Sequence, residues 1–356
     1  MKNDDLNFIL NTLQMVKAEL SECTDWYSVL GFLELNKISG VFYDNVKKLG
    51  IKVPQQISRK LNNIKNIQVK RNKLMANWIE RISVELNNKS IPHAFLKGSV
   101  LSNYGSLKLY DEGERVSNDI DILVNQNNLS EIHKVLTELE FEQGYFDFNK
   151  NEFVKLSRAE IISRRMNRGE TAPYIKLVND SVIDFIEVDI NFSLSYLPES
   201  RNVDEFLQDV KLYDAVYSLT EIKFFVYLIL HQYKESILYS MVQRNKDLEL
   251  YKLLDIYLFI KNKIIDYSEL YDFCKKINIA KECYYVLYQT TEIFDSLKDD
   301  ECLINFMNMI KPYCLDYLYA IIDPENKNQN YRWQIGLTKR LCLYNKNKCV
   351  EKIESI

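Results

Sequence analysis

Glycine and proline are scarce in this chain, and their placement limits where the backbone can turn sharply. The sequence has nine glycines and six prolines among 356 residues, and five of the glycines lie between Gly98 and Gly169. Because these two residue types mark most tight turns, we expect long helices over most of the chain. The non-helical part is expected in the glycine-containing region.

The spacing of apolar residues supports this division. Residues 1–90 and the residues from about 204 onward repeat apolar side chains every three or four positions, which is typical of amphipathic helices. The longest of these stretches, residues 57–88, is interpreted as a scaffold helix. Between the two helical regions the pattern changes to short strand-like runs. Strands are predicted in four segments: residues 91–98, 118–124, 172–180 and 182–194.

We therefore predict an α+β protein with a small mixed sheet flanked by helical regions on both sides. The predicted division is an N-terminal helical region (1–90), a sheet-containing core (91–203) and a C-terminal helical domain (204–356). Within the core, residues 129–144 are predicted as a helix that ends at Gly144. The basic segment 155–176 lacks a strong apolar period and is predicted as a loop. It is either a solvated surface, or a mobile cover or docking surface for an anionic ligand.

Bulk composition excludes several classes of protein. With 47% hydrophobic residues the chain can bury a large core, and its net charge of −4 does not favour general DNA binding. The seven cysteines include no CxxC pair, so we expect reduced thiols rather than a disulfide framework or a cysteine zinc site. The longest apolar run, residues 224–230, is far shorter than the roughly 20 residues of a membrane span. Since the N-terminus has no apolar signal core, a soluble cytoplasmic protein is expected.

Carboxylates lie within two of the strand-like segments, where their burial is costly unless a positive charge meets them. Because alternate residues of a strand face the same side, Asp119 and Asp121 are expected to share one face. In the later strand, Glu187, Asp189 and Asn191 are expected to share a face. If the two strands are neighbours, three aspartates converge into an oxygen-only set that favours Mg²⁺, in a site with room for two bridged ions. The alternative is a set of carboxylates exposed at strand ends.

A glycine and a serine follow the first predicted strand and open a short helical segment. Glycine allows close backbone approach, and N–H groups at a helix start attract phosphate, so Gly98 and Ser99 are a candidate phosphate-binding turn. The preceding Lys97 either reaches the phosphate or is a solvated lysine at the strand end. Arg115, four residues before Asp119, either pairs with the carboxylates or a phosphate, or lies in a surface loop.

The motifs LKGS (96–99), RVSNDIDILV (115–124) and EVDIN (187–191) together resemble the nucleotidyltransferase superfamily. Its signature is a glycine followed by Gly or Ser, then D-x-D, then a third acid. Over roughly residues 20–300, the sequence is most similar to the bacterial group described as uncharacterised nucleotidyltransferases. The resemblance implies a core with the DNA polymerase β-like fold.

The resemblance also implies roles for the three aspartates. Asp119 and Asp121 would bind Mg²⁺ and the nucleotide phosphates. Asp189 would complete a site for two ions and would help to deprotonate the acceptor. Two positions depart from the pattern, since Asn118 stands where a serine is common and Asn191 stands where the closer group tends to have histidine. These departures put the fine substrate geometry in question more than the metal site.

For the substrate, the resemblance implies that Gly98 and Ser99 hold the triphosphate. Lys234 and Lys252 lie on C-terminal helices, where this superfamily often places phosphate-binding bases. The predicted function is Mg²⁺-dependent transfer of a nucleoside monophosphate from an NTP to an acceptor hydroxyl, with release of pyrophosphate. The alternative is a catalytically silent module of the same fold that binds nucleotide or a partner. The acceptor remains open among a small molecule, a protein and a tRNA.

Overall fold

The chain divides into two units in the computed structural model, which describes residues 2–17, 21, 23–167, 169–195, 202–326 and 329–353. One unit is Leu61–Phe224, and the other combines Met1–Lys60 with Phe225–Ile356. The division into three regions at residues 90 and 203 stays a prediction.

Helices dominate the chain, as the scarcity of glycine and proline predicted. The helices are α1 (Asn3–Leu13), α2 (Trp26–Leu35), α3 (Ser39–Lys48), α4 (Gln55–Asn88), α5 (Gly98–Leu101), α6 (Leu129–Glu138), α7 (Arg158–Asn167), α8 (Val203–Leu207), α9 (Glu221–Ile237), α10 (Tyr239–Gln243), α11 (Leu250–Lys261), α12 (Tyr267–Ile277), α13 (Ala280–Ile293), α14 (Glu301–Ile310) and α15 (Leu337–Cys342). The strands are β1 (His93–Leu96), β2 (Ile120–Val124), β3 (Glu142–Asp147), β4 (Glu152–Lys155), β5 (Tyr174–Leu177), β6 (Phe185–Asn191), β7 (Lys211–Tyr213), β8 (Val216–Ser218), β9 (Ala320–Ile322), β10 (Asn330–Trp333) and β11 (Val350–Ile353).

A mixed sheet lies in the Leu61–Phe224 unit. Among the described residues it has eight strands, in the order β4-β3-β5-β6-β2-β1-β8-β7. β2 pairs in parallel with β6 and antiparallel with β1, and β1 pairs in parallel with β8. This mixed sheet among helices confirms the predicted α+β fold class.

The two central strands differ in how their side chains are buried. All five residues of β2 are buried, as expected for a strand covered on both faces. β6 alternates instead: Ile186, Val188 and Ile190 are fully buried, whereas Glu187 and Asp189 remain partly exposed on the opposite face. The alternation predicted from the sequence is therefore confirmed for β6.

The long helix predicted for residues 57–88 is confirmed as α4. Most of its apolar stripe is buried, with Ile82 fully excluded from solvent, which agrees with a scaffold role, although Ile67 is 55% exposed. Two polar residues of the same helix, Gln68 and Asn72, are also buried. Because buried amides need hydrogen-bond partners, this turn of α4 has a further role, described with the site below.

Gly144 does not end a helix, contrary to the prediction. α6 ends at Glu138, and Gly144 lies inside β3. A Cβ atom at this position would collide with the Phe153 ring and the Val154 carbonyl of β4, so the glycine permits close strand contact. The helix prediction extended too far because Phe141, which is apolar and buried, prolongs the hydrophobic pattern beyond the helix end.

Other segments also differ from the prediction. Residues 158–167 of the basic segment form a helix, because Ser157 and Glu160 make a reciprocal capping box. The Glu160 carboxylate accepts a hydrogen bond from the Ser157 N–H (2.8 Å), and the Ser157 Oγ accepts one from the Glu160 N–H (3.3 Å). Residues 211–218, expected to be helical, form the hairpin β7–β8 at the edge of the sheet. The two-residue turn of this hairpin is possible because Asp214 adopts a positive φ of 53°.

In the second unit, the described part of residues 320–353, where helix was expected, forms a three-stranded antiparallel sheet in the order β11-β10-β9. The same unit contains a buried ion network. The Asp247 carboxylate, fully buried, accepts hydrogen bonds from Arg340 Nη2 (3.0 Å) and Lys346 Nζ (2.7 Å). The Arg340 guanidinium also lies 4.0 Å from the centre of the Trp333 ring. This network satisfies a charge that would otherwise be very costly to bury.

The seven cysteines are free thiols, and two of them, Cys274 and Cys283, are buried. In the part of the chain that the structure describes, no helix combines the length and the apolar composition that crossing a bilayer requires.

We expect Asp247→Ala to lower the free energy of unfolding by about 3–5 kcal/mol, because it leaves two buried cations without their counter-ion. Asp316→Ala is the matched control, since Asp316 pairs with Arg332 at a similar distance (3.1 Å) but is mostly exposed. Its loss is expected to cost less than about 1 kcal/mol. Urea denaturation of both variants measures the difference, and equal losses would contradict this account.

Candidate metal centre

The pairing of β2 with β6 brings the three aspartates together. In this parallel pair Asp121 lies opposite Asp189, and Asp119 precedes the start of β2 on the same face as Asp121. One carboxylate oxygen from each of the three residues lies within 4.8 Å of the others. The convergence predicted from the sequence is therefore confirmed.

The separation of these oxygens is compatible with a divalent cation bound between them. Oxygen ligands lie roughly 2.0–2.6 Å from Mg²⁺ or Ca²⁺, so ligand atoms on opposite sides of one ion are about 4–5 Å apart. The donors are all carboxylate oxygens, which hard divalent cations prefer. The geometry of the cluster is thus compatible with binding of such an ion.

Asp121 is the most deeply buried of the three, with 2% of its surface exposed. Its Oδ1 accepts hydrogen bonds from Lys97 Nζ at 2.8 Å and from Asn191 Nδ2 at 3.3 Å. Burial raises the pKa of Asp121 to about 6, and the Asp119 charge adds to this rise, while Lys97 and Asn191 oppose it.

The pKa of Asp189 is also raised, well above its ordinary value. Burial is the main cause, and the charges of Asp119, Asp121, Glu187 and Glu170 add to it. Five carboxylates therefore repel one another in this part of the sheet. A divalent cation bound among them relieves that repulsion, which is why such a cluster favours metal.

Gly98 lies where the loop before β2 crosses the start of α5. A Cβ atom at this position would lie 2.6 Å from Ser117 Oγ and would collide with the Arg115 guanidinium. Packing of residues 115–117 against the turn therefore requires glycine here. Whether the same closeness serves a phosphate stays a prediction.

Ser99 offers a polar atom that the described residues do not use. Its side chain is 2% exposed, and its Oγ has no hydrogen-bond partner among the described residues. A buried hydroxyl without a partner is unusual in a folded protein. It lies in the turn that the sequence marks as a candidate phosphate site, and a phosphate oxygen is an acceptor that would satisfy it.

Arg115 is not a surface residue, since only 4% of it is exposed. Its Nη1 donates to the Val116 carbonyl at 3.2 Å. Its own carbonyl oxygen accepts from Gln68 Nε2 (3.4 Å) and Asn72 Nδ2 (3.3 Å) of α4. The buried amides of α4 therefore anchor the loop that carries Arg115 toward Gly98.

Lys97 does not have the solvated role considered from the sequence, and its contact with a phosphate stays a prediction. Its side chain is 17% exposed, so it is not a solvated lysine, and its ammonium pairs with the Asp121 carboxylate. Lys97 is close to Asp121 because Leu96 lies opposite Asp121 in the β1–β2 pair and Lys97 is the next residue.

Arg71 of α4 is a site residue that the sequence reasoning missed. Its Nε donates to the Ser117 carbonyl at 3.2 Å. Burial lowers the pKa of Arg71, and the charges of Asp119 and Glu187 oppose that fall. The sequence contained a signal for this polar face. Gln68 and Arg71 are three residues apart, so they are neighbours on one face of α4, but that helix was interpreted from its apolar stripe alone.

Lys234 and Lys252 lie in the other unit, on α9 and α11. Lys252 is buried and its ammonium pairs with Glu235 and, at 2.7 Å, with Glu249. Burial alone would lower the pKa of Lys252, but Glu235, Tyr251 and Glu249 outweigh it and raise the pKa. Two glutamates of its own unit thus engage this lysine, and a phosphate-binding role for either lysine stays a prediction.

We expect Asp189→Asn to stabilise the protein in metal-free buffer at pH 7, by about 0.5–2 kcal/mol, because it removes one of the repelling charges. A carboxyl whose folded-state pKa is raised destabilises the fold as pH rises above its unfolded value of 3.8. The gain should therefore shrink as pH falls toward that value. Thermal denaturation between pH 4 and 8 tests this.

Asp184→Asn is the matched control for this experiment, since Asp184 is exposed in the same unit. We expect it to change the melting temperature little at any pH. A lower stability of metal-free Asp189→Asn at pH 7 would contradict the account of charge repulsion.

The family model described as uncharacterised nucleotidyltransferase matches residues 22–295, which include every strand of the mixed sheet. No curated protein sequence matches the chain. Because the match covers most of the chain, the protein belongs to the uncharacterised nucleotidyltransferase family.

Proposed function

We propose that the protein is a Mg²⁺-dependent nucleotidyltransferase that transfers a nucleoside monophosphate from an NTP to an acceptor hydroxyl. The observation that carries this proposal is the convergence of Asp119, Asp121 and Asp189 within 4.8 Å, in a chain that belongs to a nucleotidyltransferase family. Three carboxylates at adjoining strands are a costly arrangement without a cation. A cation and a polyphosphate together explain it.

The three aspartates would hold two Mg²⁺ ions, which would neutralise the triphosphate and the charge that develops on the attacking and leaving oxygens. In the transfer, the acceptor oxygen bonds to the α-phosphorus, the bond from the α-phosphorus to the bridging oxygen breaks, and pyrophosphate leaves. The proton of the acceptor hydroxyl would pass to Asp189.

The turn after β1 supports the proposal from the phosphate side. The Ser99 hydroxyl would donate to a phosphate oxygen, and Gly98 keeps the turn free of a side chain. Arg115, beside the Gly98 turn, and Arg71, whose pKa responds to the charge of Asp119, add positive charge where the triphosphate would bring negative charge. The main catalytic contribution of these groups would be positioning and charge neutralisation.

The double variant Asp119→Asn with Asp121→Asn is expected to abolish Mg²⁺-dependent NTP binding. The expected loss of affinity is larger than the roughly 10–100-fold that follows mutation of residues that only support metal ligands. Calorimetric titration with each of the four NTPs, with and without Mg²⁺, measures it. Asp184→Asn with Asp299→Asn, both exposed, is the control for the same change in net charge. Equal binding by wild type and the double variant at the cluster would refute the proposal.

Turnover separates the enzyme from the alternative module. Pyrophosphate release with labelled NTP and a panel of hydroxyl acceptors is expected for the wild type. NTP binding without release, across sugars, proteins and tRNA, would favour a nucleotide-binding module of the same fold.

Ser99→Ala is expected to weaken Mg²⁺-NTP binding by roughly tenfold or more, the value of a hydrogen bond to a charged group. It should leave the melting temperature unchanged or slightly higher, because the hydroxyl has no partner to lose within the fold. Ser102→Ala is the matched control, since the Ser102 hydroxyl is also buried without a partner among the described residues. Equal effects of both variants on binding would contradict a specific role for Ser99.

A further inference from the structure

Lys97 pairs with a carboxylate that the proposed metal also needs. Its Nζ lies 2.8 Å from Asp121 Oδ1, and both side chains are largely buried. A divalent ion bound by Asp121 would stand close to this ammonium. Since like charges repel strongly where water is scarce, the ion and the ammonium compete for one carboxylate.

The backbone of Lys97 is held in a conformation that side chains rarely adopt. Its φ is +49° and its ψ is −132°, a region in which glycine is far less strained. Strain of this kind persists where the surrounding structure imposes it, and it is frequent at functional sites. A lysine at this position therefore points to a use for its side chain.

The location of Lys97 gives the ammonium a second place to go. The residue lies between the end of β1 and the Gly98-Ser99 turn, where Ser99 Oγ lacks a partner among the described residues. Lysine carries its charge on a flexible four-carbon stem, so it can move between neighbouring acceptors without backbone motion. A triphosphate at this turn would offer such an acceptor.

We propose that Lys97 is an exchangeable counter-ion: it neutralises Asp121 while metal is absent and moves to the triphosphate when metal binds. This proposal rests on the proposed function, because it needs a triphosphate at the turn. Its consequence is coupling between the two ligands. Free Mg²⁺ must displace the ammonium and binds weakly, whereas Mg²⁺ with triphosphate gives the ammonium a new partner and binds tightly.

The coupling is measured with two probes. Mn²⁺ alone, followed by electron paramagnetic resonance, reports binding of the ion, and Mn²⁺ with saturating inorganic tripolyphosphate reports binding of the pair. The ratio of the two ion affinities is the coupling factor. Inorganic tripolyphosphate removes any dependence on the base of the nucleotide.

Two variants remove the ammonium in different ways. Lys97→Met keeps most of the apolar stem, and Lys97→Gly also relieves the backbone strain, so that at least one of them is expected to fold. Lys134→Met, on the exposed face of α6, removes the same charge away from the cluster and is the control. For Lys97→Met and Lys97→Gly we expect Mn²⁺ alone to bind roughly tenfold tighter or more, and the coupling factor to fall by more than tenfold.

The control is expected to match the wild type in both measurements. If the ammonium stays on Asp121 in every state, its removal would shift both affinities by the same factor and leave the coupling factor unchanged, which would overturn the exchange. Weaker or equal binding of Mn²⁺ alone by the Lys97 variants would also overturn it. If wild-type protein binds Mn²⁺ but no tripolyphosphate, the proposed function fails and the exchange fails with it. If it binds both and the Lys97 variants leave the coupling factor unchanged, only the exchange fails.

Discussion

The parallel pairing of β2 with β6 is the constraint on which the candidate site depends. It sets Asp121 opposite Asp189, and the period of two along each strand then decides which side chains share a face. A shift of one residue would turn the carboxylates of one strand to the apolar face. The buried side chains of Ile122 and Ile190, paired directly in this register, make that shift very unfavourable. Hydrophobic packing therefore holds the carboxylates together against their own repulsion.

The cost of this arrangement is visible in the raised pKa values of Asp121 and Asp189. The surrounding cations reduce the cost without removing it: Lys97 pairs with Asp121, and the charge of Arg71 interacts with that of Asp119. Functional sites are often less stable than the scaffold that supports them, because their charges are arranged for a ligand. The Asp247 network of the other unit is a contrast, since its carboxylate is matched by two cations within hydrogen-bond distance.

Much of the site could be predicted from local patterns, and much of its surroundings could not. The alternation of D-x-D and E-x-D-x-N was enough to predict which acids share a face. The partner of Lys97 was not predictable, since it depends on the β1–β2 register, and Arg71 was missed because helix α4 lies far from the motifs in sequence. The requirement for Gly98 was attributed to phosphate, whereas the structure shows that loop 115–117 also imposes it. Gly144 and helix α7 were misjudged where cross-strand contact and a capping box outweighed the local hydrophobic pattern.

The sequence by itself determined the α+β class, the apolar strands and the chemical nature of the ligands, because these follow from residue type and from the short periods of helices and strands. Only the tertiary structure decided that Asp189 meets Asp119 and Asp121, that Lys97 faces Asp121, and that α4 supplies Arg71. Such contacts join residues distant in the chain. They are set by how whole elements pack on one another, which the local pattern of a single segment does not contain.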